Sequence, residues 1–370
     1  MSSDTLFSPL TIGSVELKHR IVMAPMTRYR ADESHVPVEM MIDYYAQRAS
    51  MPGTLIISEG TFISPEAGGN ACVPGIWNAA QIQAWKKVTD AVHVKKSFIF
   101  CQLWALGRAA KAKTIEKEGI RIVSSSNLPV SSDAPVPHPL SEAEIYSFIQ
   151  QYATAAKNAV AAGFDGVEIH AANGYLVDQF LQDNCNNRED AWGGSIEKRA
   201  RFGIEVASAI ATAVGPDRVG YRVSPFSYFQ GMRMDDPVPQ FTYLAKELSK
   251  LNLAYLHAVE SRIAGSQDVD SDSSEKVDFL IDAWGTSGAV IVAGGFTPES
   301  AAEAVKQRPG KNIAVGFGRY FTSNPDLPYR IHENIPLVKY NRATFYVEQS
   351  PIGYVDYPFS PAFQELTVKA

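Results

Sequence analysis

Short apolar runs recur along the chain, spaced so that a helix fits between most neighbouring pairs. They are Arg20 to Pro25, Thr54 to Gly60, Ser97 to Leu103, Phe164 to His170, Arg218 to Ser224, Leu253 to Glu260, Ala289 to Gly295 and Ile313 to Arg319. Each is nearly continuous in apolar character, as expected for parallel strands covered on both faces. Between them the polar positions fall into helical order. Arg199 to Val214 carries Phe202, Val206, Ile210 and Val214 on one face. Ser141-Glu142-Ala143-Glu144 is a capping box, whose serine oxygen and glutamate carboxylate accept from free N–H groups of the first turn. Thr297-Pro298 sets an N-cap residue before a proline at the first helical position. Eight strand–helix units predict a (β/α)8 TIM barrel, an α/β fold, as a single domain over residues 1–370. Ahead of the first strand, Leu10 to Leu17 predicts a β-hairpin around Gly13-Ser14 that caps the barrel bottom. Pro135 to Pro139 reads as a connector, and polar, acidic Ser266 to Ser274 as a loop over a site.

Composition removes several classes of function. With 34 basic against 40 acidic residues and a net charge of −6, the chain has no basic footprint for nucleic acid. Cys72, Cys101 and Cys185 are far apart and form no Cys-x-x-Cys pair, which argues against structural metal, iron–sulfur clusters and a disulfide framework. Buried thiols in a reducing compartment are the expectation. No apolar run is long enough to span a bilayer, and the first residues show no basic-then-apolar leader, so a cytoplasmic protein without membrane attachment is expected. Monomer and homodimer are left equally open.

In barrels of this kind the chemistry sits at the C-terminal ends of the strands. The predicted ends bring polar residues and glycines to one rim: Pro25-Met26-Thr27, Gln102 with Trp104, His170, Arg222, Gly294-Gly295 and Gly318-Arg319. In His170-Ala171-Ala172-Asn173-Gly174-Tyr175, imidazole and carboxamide can both donate to one oxygen on which negative charge develops, and the phenol can deliver a proton. The plainer reading is a hydrogen-bonded core histidine with a packing tyrosine; the strand-end position favours the chemical one. Arg222 is either half of an interior ion pair or a counter-charge for an anionic ring. The glycine pairs after the last two strands permit close backbone approach to a phosphate, with Arg319 adding a charge-assisted contact. Trp104, Phe345 and Tyr346 can wall a flat ligand. No Gly-x-Gly-x-x-Gly follows the first strand, so any nicotinamide has to enter the barrel mouth itself.

Several motifs in order resemble the old yellow enzyme family. They are Pro9-Leu10-Thr11-Ile12-Gly13, Arg20-Ile21-Val22-Met23-Ala24-Pro25-Met26-Thr27-Arg28, Glu59-Gly60-Thr61-Phe62-Ile63-Ser64-Pro65 and Cys101-Gln102-Leu103-Trp104. Gly163 to His170, Trp192-Gly193-Gly194-Ser195, Gly318-Arg319 and Gly353-Tyr354-Val355-Asp356-Tyr357-Pro358 continue it, so the likeness runs from about Leu6 to Phe359. Phe98 to Ala105 is similar to fungal members, including those of ergot alkaloid pathways. The resemblance implies FMN, with NADPH or NADH as hydride donor, and reduction of the C=C bond of α,β-unsaturated aldehydes and ketones. It implies that Pro25, Met26, Thr27, Gly60, Gln102, His170 and Arg222 surround the flavin ring, and that Gly294, Gly295, Gly318 and Arg319 hold its phosphate. His170 and Asn173 would grip the substrate carbonyl, Tyr175 would protonate Cα, and Trp104, Phe345 and Tyr346 would line the substrate site. Three positions depart from the family pattern. Asn70 stands where tyrosine is frequent and is expected near the mouth, while His19 and Trp192 replace asparagine and tyrosine in structural places. A flavin-assisted isomerase is the alternative for the same site; Tyr175 favours net reduction, because isomerising relatives can carry phenylalanine there.

Overall fold

The computed structural model describes residues 3–261 and 275–369. The loop expected at Ser266 to Ser274 lies outside the described residues. Eight strands form the barrel: β1 (Ile21–Met23), β2 (Leu55–Ile57), β3 (Phe98–Trp104), β4 (Gly166–Ala171), β5 (Val219–Val223), β6 (Tyr255–Val259), β7 (Ala289–Ala293) and β8 (Ile313–Phe317). Each pairs in parallel with the next, and β8 pairs with β1, which closes the cylinder and leaves no edge in the ring. Each lies inside an apolar run or overlaps nearly all of it. The runs are longer because they include the turns at the rim.

Helices cover the outside: α1 (Glu39–Arg48), α2 (Ala79–Val94), α3 (Glu142–Ala161), α4 (Ile196–Val214), α5 (Pro237–Ser249), α6 (Asp278–Trp284) and α7 (Pro298–Lys306). The capping box of Ser141 and Glu144 forms at the start of α3, and Thr297 caps α7 with Pro298 in its first turn. Along α4, Phe202, Val206 and Ile210 are buried and Val214 is half-buried. The Pro135–Pro139 stretch is more than a connector, since Ser124 pairs with Pro139 in a short parallel ladder.

The hairpin forms as expected, with Leu10 opposite Leu17 and the turn at Gly13 in the left-handed region (φ 55°). Its inward side chains Leu10, Ile12, Val15 and Leu17 pack with Val22, Leu55, Ile57, Phe100, Tyr255, Ile291 and Ala314 from the barrel interior. This apolar plug fills the bottom of the barrel. A Cβ on Gly13 would lie 1.8 Å from the Asp217 carbonyl oxygen, so glycine also sets how closely the cap seats.

Three buried arginines tie the C-terminal segment to the opposite rim. Arg28 donates to the carbonyls of Phe345 (3.2 Å) and Gly353 (2.7 Å). Arg30 donates to those of Thr344 (2.9 Å) and Ser350 (2.8 Å), and Arg48 to that of Tyr354 (3.1 Å). Tyr44 stacks on Tyr354 at 4.0 Å, so aromatic faces and guanidinium N–H groups together hold this segment. It carries Phe345 and Tyr346 to the mouth of the barrel.

Candidate active site

A cavity of about 850 Å³ opens at the C-terminal ends of the strands. Fifteen of the residues singled out in the sequence line it: Pro25, Met26, Thr27, Gln102, Trp104, His170, Asn173, Tyr175, Arg222, Gly294, Gly295, Gly318, Arg319, Phe345 and Tyr346. Gly60 does not line it. A Cβ at Gly60 would meet the Trp104 indole at 2.5 Å, so this glycine makes room for the tryptophan that forms the wall. Asn70 is also off the cavity, buried with its carboxamide oxygen unpartnered. His19 lies buried between Thr54 and the Ile21 amide, and Trp192 packs under the Arg201 guanidinium at 4.1 Å.

Three rings define one side of the cavity. Trp104 and His170 stack with centroids 6.0 Å apart, and Tyr175 stands edge-on to both at 4.8 Å. The turn after β4 that presents Asn173 needs a left-handed backbone there (φ 59°), and the Ser224 hydroxyl accepts the Asn173 N–H at 2.8 Å. Burial, with Arg222 and His257 adding to it, holds the His170 imidazole well below its ordinary range, so it is neutral at pH 7 and donates from one nitrogen only. Burial raises the Tyr175 phenol, with Tyr29 and Tyr346 adding to it, so the proton stays available for delivery.

Beneath this floor lies a network that sequence reasoning missed. The buried Glu168 carboxylate accepts from Gln102 Nε2 (2.8 Å), the Tyr255 hydroxyl (3.1 Å) and His257 Nδ1 (2.7 Å). Burial alone would push this carboxyl up; the charges of His257 and Arg222 and the hydrogen bonds outweigh it and hold it below its ordinary range. His257 is itself lowered by burial, against the opposing pull of Glu168. Glu168 is therefore ionised; the Arg222 charge reaches it, and His257 is hydrogen-bonded to it directly through Nδ1. A signal existed, because Glu168 shares the inward face of β4 with His170, and His257 is in register with Arg222. One charged residue inside an apolar run shows its meaning only when the strands are paired. Tyr29, Lys111, Phe229, Lys339 and Arg342 also line the cavity and were not foreseen.

The residues fit a flavin. Trp104 Nε1, His170 Nδ1 and Arg222 Nε are buried without hydrogen-bond partners among the described residues, although buried polar groups are nearly always satisfied. A flat ligand rich in oxygen and nitrogen would answer them. At the other end, Gly294 (φ 151°) and Gly295 (φ 67°) occupy backbone that other residues disfavour, beside Arg319, Lys339 and Arg342. Exposed backbone N–H groups and cations are what a phosphate requires.

Comparison with known proteins agrees with the geometry. Residues 5–338 match the NADH:flavin oxidoreductase / NADH oxidase family, an FMN family. The chain is 60% identical over 362 residues to chanoclavine-I aldehyde reductase of Penicillium roqueforti, covering 97% of this chain and 98% of the other. It is 50% identical over 362 residues to an NADP-dependent oxidoreductase of Aspergillus flavus, covering 96% of each. The solved structure of the old yellow enzyme homologue from Zymomonas mobilis superimposes with a TM-score of 0.88 at 38% identity, covering 96% of this chain and 100% of that one. The chain belongs to the NADH:flavin oxidoreductase / NADH oxidase family and is an FMN-dependent oxidoreductase of the old yellow enzyme type.

Proposed function

We propose that this enzyme reduces the C=C bond of α,β-unsaturated aldehydes and ketones at the expense of NADPH or NADH. The reading rests above all on one observation: His170, Asn173 and Tyr175 face the same cavity, with a neutral imidazole beside a protonated phenol. Bound FMN would supply the hydride, accepted from the nicotinamide and passed on to the substrate β-carbon. His170 and Asn173 donate hydrogen bonds to the carbonyl oxygen, which draws electrons from the β-carbon and stabilises the charge that grows on that oxygen. Tyr175 gives its proton to the α-carbon. Thr27, Gln102 and Arg222 would hold the polar edges of the ring, with Arg222 supplying a positive charge beside it. Gly294, Gly295, Gly318 and Arg319 hold the phosphate. Trp104, Phe345 and Tyr346 confine a flat substrate against the ring. One mouth serves both donor and acceptor, so they bind in turn and the kinetics are ping-pong. The relatives' names, a chanoclavine-I aldehyde reductase and an NADP-dependent oxidoreductase, support an aldehyde as substrate and NADPH as donor.

The test is a visible spectrum of the purified protein under anaerobic conditions. Flavin bands should bleach on adding NADPH and return on adding 2-cyclohexenone. Bands that bleach but stay bleached with the enone would overturn the acceptor class while leaving the flavin site standing.

A further inference from the structure

The turn that carries Asn173 and Tyr175 is braced from behind by a side chain that does not line the cavity. Gln230, in the loop between β5 and α5, donates from Nε2 to the Asn173 carbonyl at 2.8 Å. Its own backbone is left-handed (φ 60°, ψ 35°), a conformation that side chains disfavour and that persists only where surroundings enforce it. Here they form a closed circuit. The Gln230 carbonyl accepts from Arg108 Nη2 (3.2 Å), the Arg108 backbone N–H donates to Gln179 Oε1 (3.1 Å), and Gln179 Nε2 donates to the Gly174 carbonyl (2.8 Å). The two loops meet without spare room, since a Cβ on Gly174 would lie 2.9 Å from the Gln230 Cβ.

We propose that Gln230 is a positioning residue: through the Asn173 carbonyl it holds the turn that carries Asn173 and Tyr175 in one frame, so that carboxamide and phenol meet the substrate together. This rests on the ene-reductase reading. In the proton-delivery step the C–H bond at the α-carbon forms as the O–H bond of Tyr175 breaks. The bonding pair stays on the phenol oxygen, and water returns the proton between turnovers. Proton delivery therefore depends on where the turn places the phenol, and the Gln230 brace fixes that place.

The test uses the FMN-loaded enzyme, with each half-reaction followed by stopped flow and a phenolic ligand, 4-chlorophenol, titrated at equilibrium. Gln230→Met keeps the length and removes the donors. It should slow reoxidation by 2-cyclohexenone roughly 10- to 100-fold, the effect of misplacing groups that must meet the substrate. Reduction by NADPH should stay within about twofold, and 4-chlorophenol should bind several-fold more weakly because Asn173 has lost its brace. Gln230→Asn, which restores the donors on a shorter arm, should recover part of the reoxidation rate, whereas Gln230→Glu should not. Reoxidation at the wild-type rate in Gln230→Met, equal slowing of both half-reactions, or equal rescue by Asn and Glu would each overturn the assignment. Wild-type enzyme that the enone fails to reoxidise would sink the reductase reading as well, and that control separates the two failures.

Discussion

The lower and upper halves of the barrel interior are built from the same eight strands and follow opposite rules. Below, Val22, Leu55, Ile57, Phe100, Ile291 and Ala314 close on the hairpin side chains in an apolar plug. One inward step further along the same strands, Phe100 gives way to Gln102 on β3 and Tyr255 to His257 on β6, and Glu168, His170 and Arg222 complete a polar layer. The lower half satisfies itself. The upper half leaves donors on His170 and Arg222 unpartnered. Stability is concentrated where nothing reacts, and the catalytic end is left incomplete until a ligand completes it.

That division breaks most visibly at Tyr175. Tyr175→Phe removes only the hydroxyl and should leave stability within about 0.5 kcal/mol, while slowing reoxidation by weakly activated enones about 10²- to 10⁴-fold. Reduction by NADPH should be nearly unchanged, and equal loss in both half-reactions would contradict the proton-donor role. Arg222 comes next. Arg222→Met strips the Glu168 carboxylate of its buried counter-charge and should cost about 3 to 5 kcal/mol in urea denaturation of the flavin-free protein. Adding Glu168→Gln should restore most of that loss. A double variant no more stable than the single one would mean that the two charges are not an electrostatic unit.

In the lower half the expectation reverses. Ile12 is fully buried in the plug, far from the cavity lining. Ile12→Ala should cost about 3 kcal/mol through lost burial and an unfilled space. FMN affinity and both half-reaction rates should stay within about twofold. A selective loss of flavin binding would show that the plug is part of the site after all.

How much of this could be read from the sequence follows from the range of each interaction. The eight strands were legible because each is a local apolar run, and the rim residues because polar groups and glycines end those runs. Glu168 and His257 were passed over because their partner lies 89 residues away and appears only with strand register. The Arg28 and Arg30 clamp on the C-terminal segment spans 314 to 325 positions and leaves no periodic trace. Gly60 was expected beside the flavin ring, whereas the group that its missing Cβ makes room for is Trp104. Gln230 has no motif at all; its importance comes from a left-handed backbone that tertiary contacts impose.

His19 offers the smallest and finest division between the two halves. It sits where the hairpin joins β1, with Nδ1 accepting from the Ile21 N–H (3.3 Å) and Nε2 against the Thr54 hydroxyl (3.0 Å). Burial is the main cause that lowers its pKa from 6.5 to about 4. The folded state therefore binds the proton more weakly than the unfolded chain, so this contribution to stability is complete above pH 6.5 and is lost as pH falls toward 4. His19→Asn keeps an acceptor for the Ile21 N–H and removes the titration. Between pH 7 and 4.5 the variant should lose about 2 kcal/mol less stability than the parent, read from urea midpoints at several pH values. Parallel pH curves would remove His19 as an acid-sensitive point. If the curves do separate, the acid sensitivity that remains is the part to which the polar upper half contributes, because burial depresses His170 and His257 in the same direction. Binding of FMN over that layer should then change only the remaining part, since the His19 contribution lies at the closed end of the barrel.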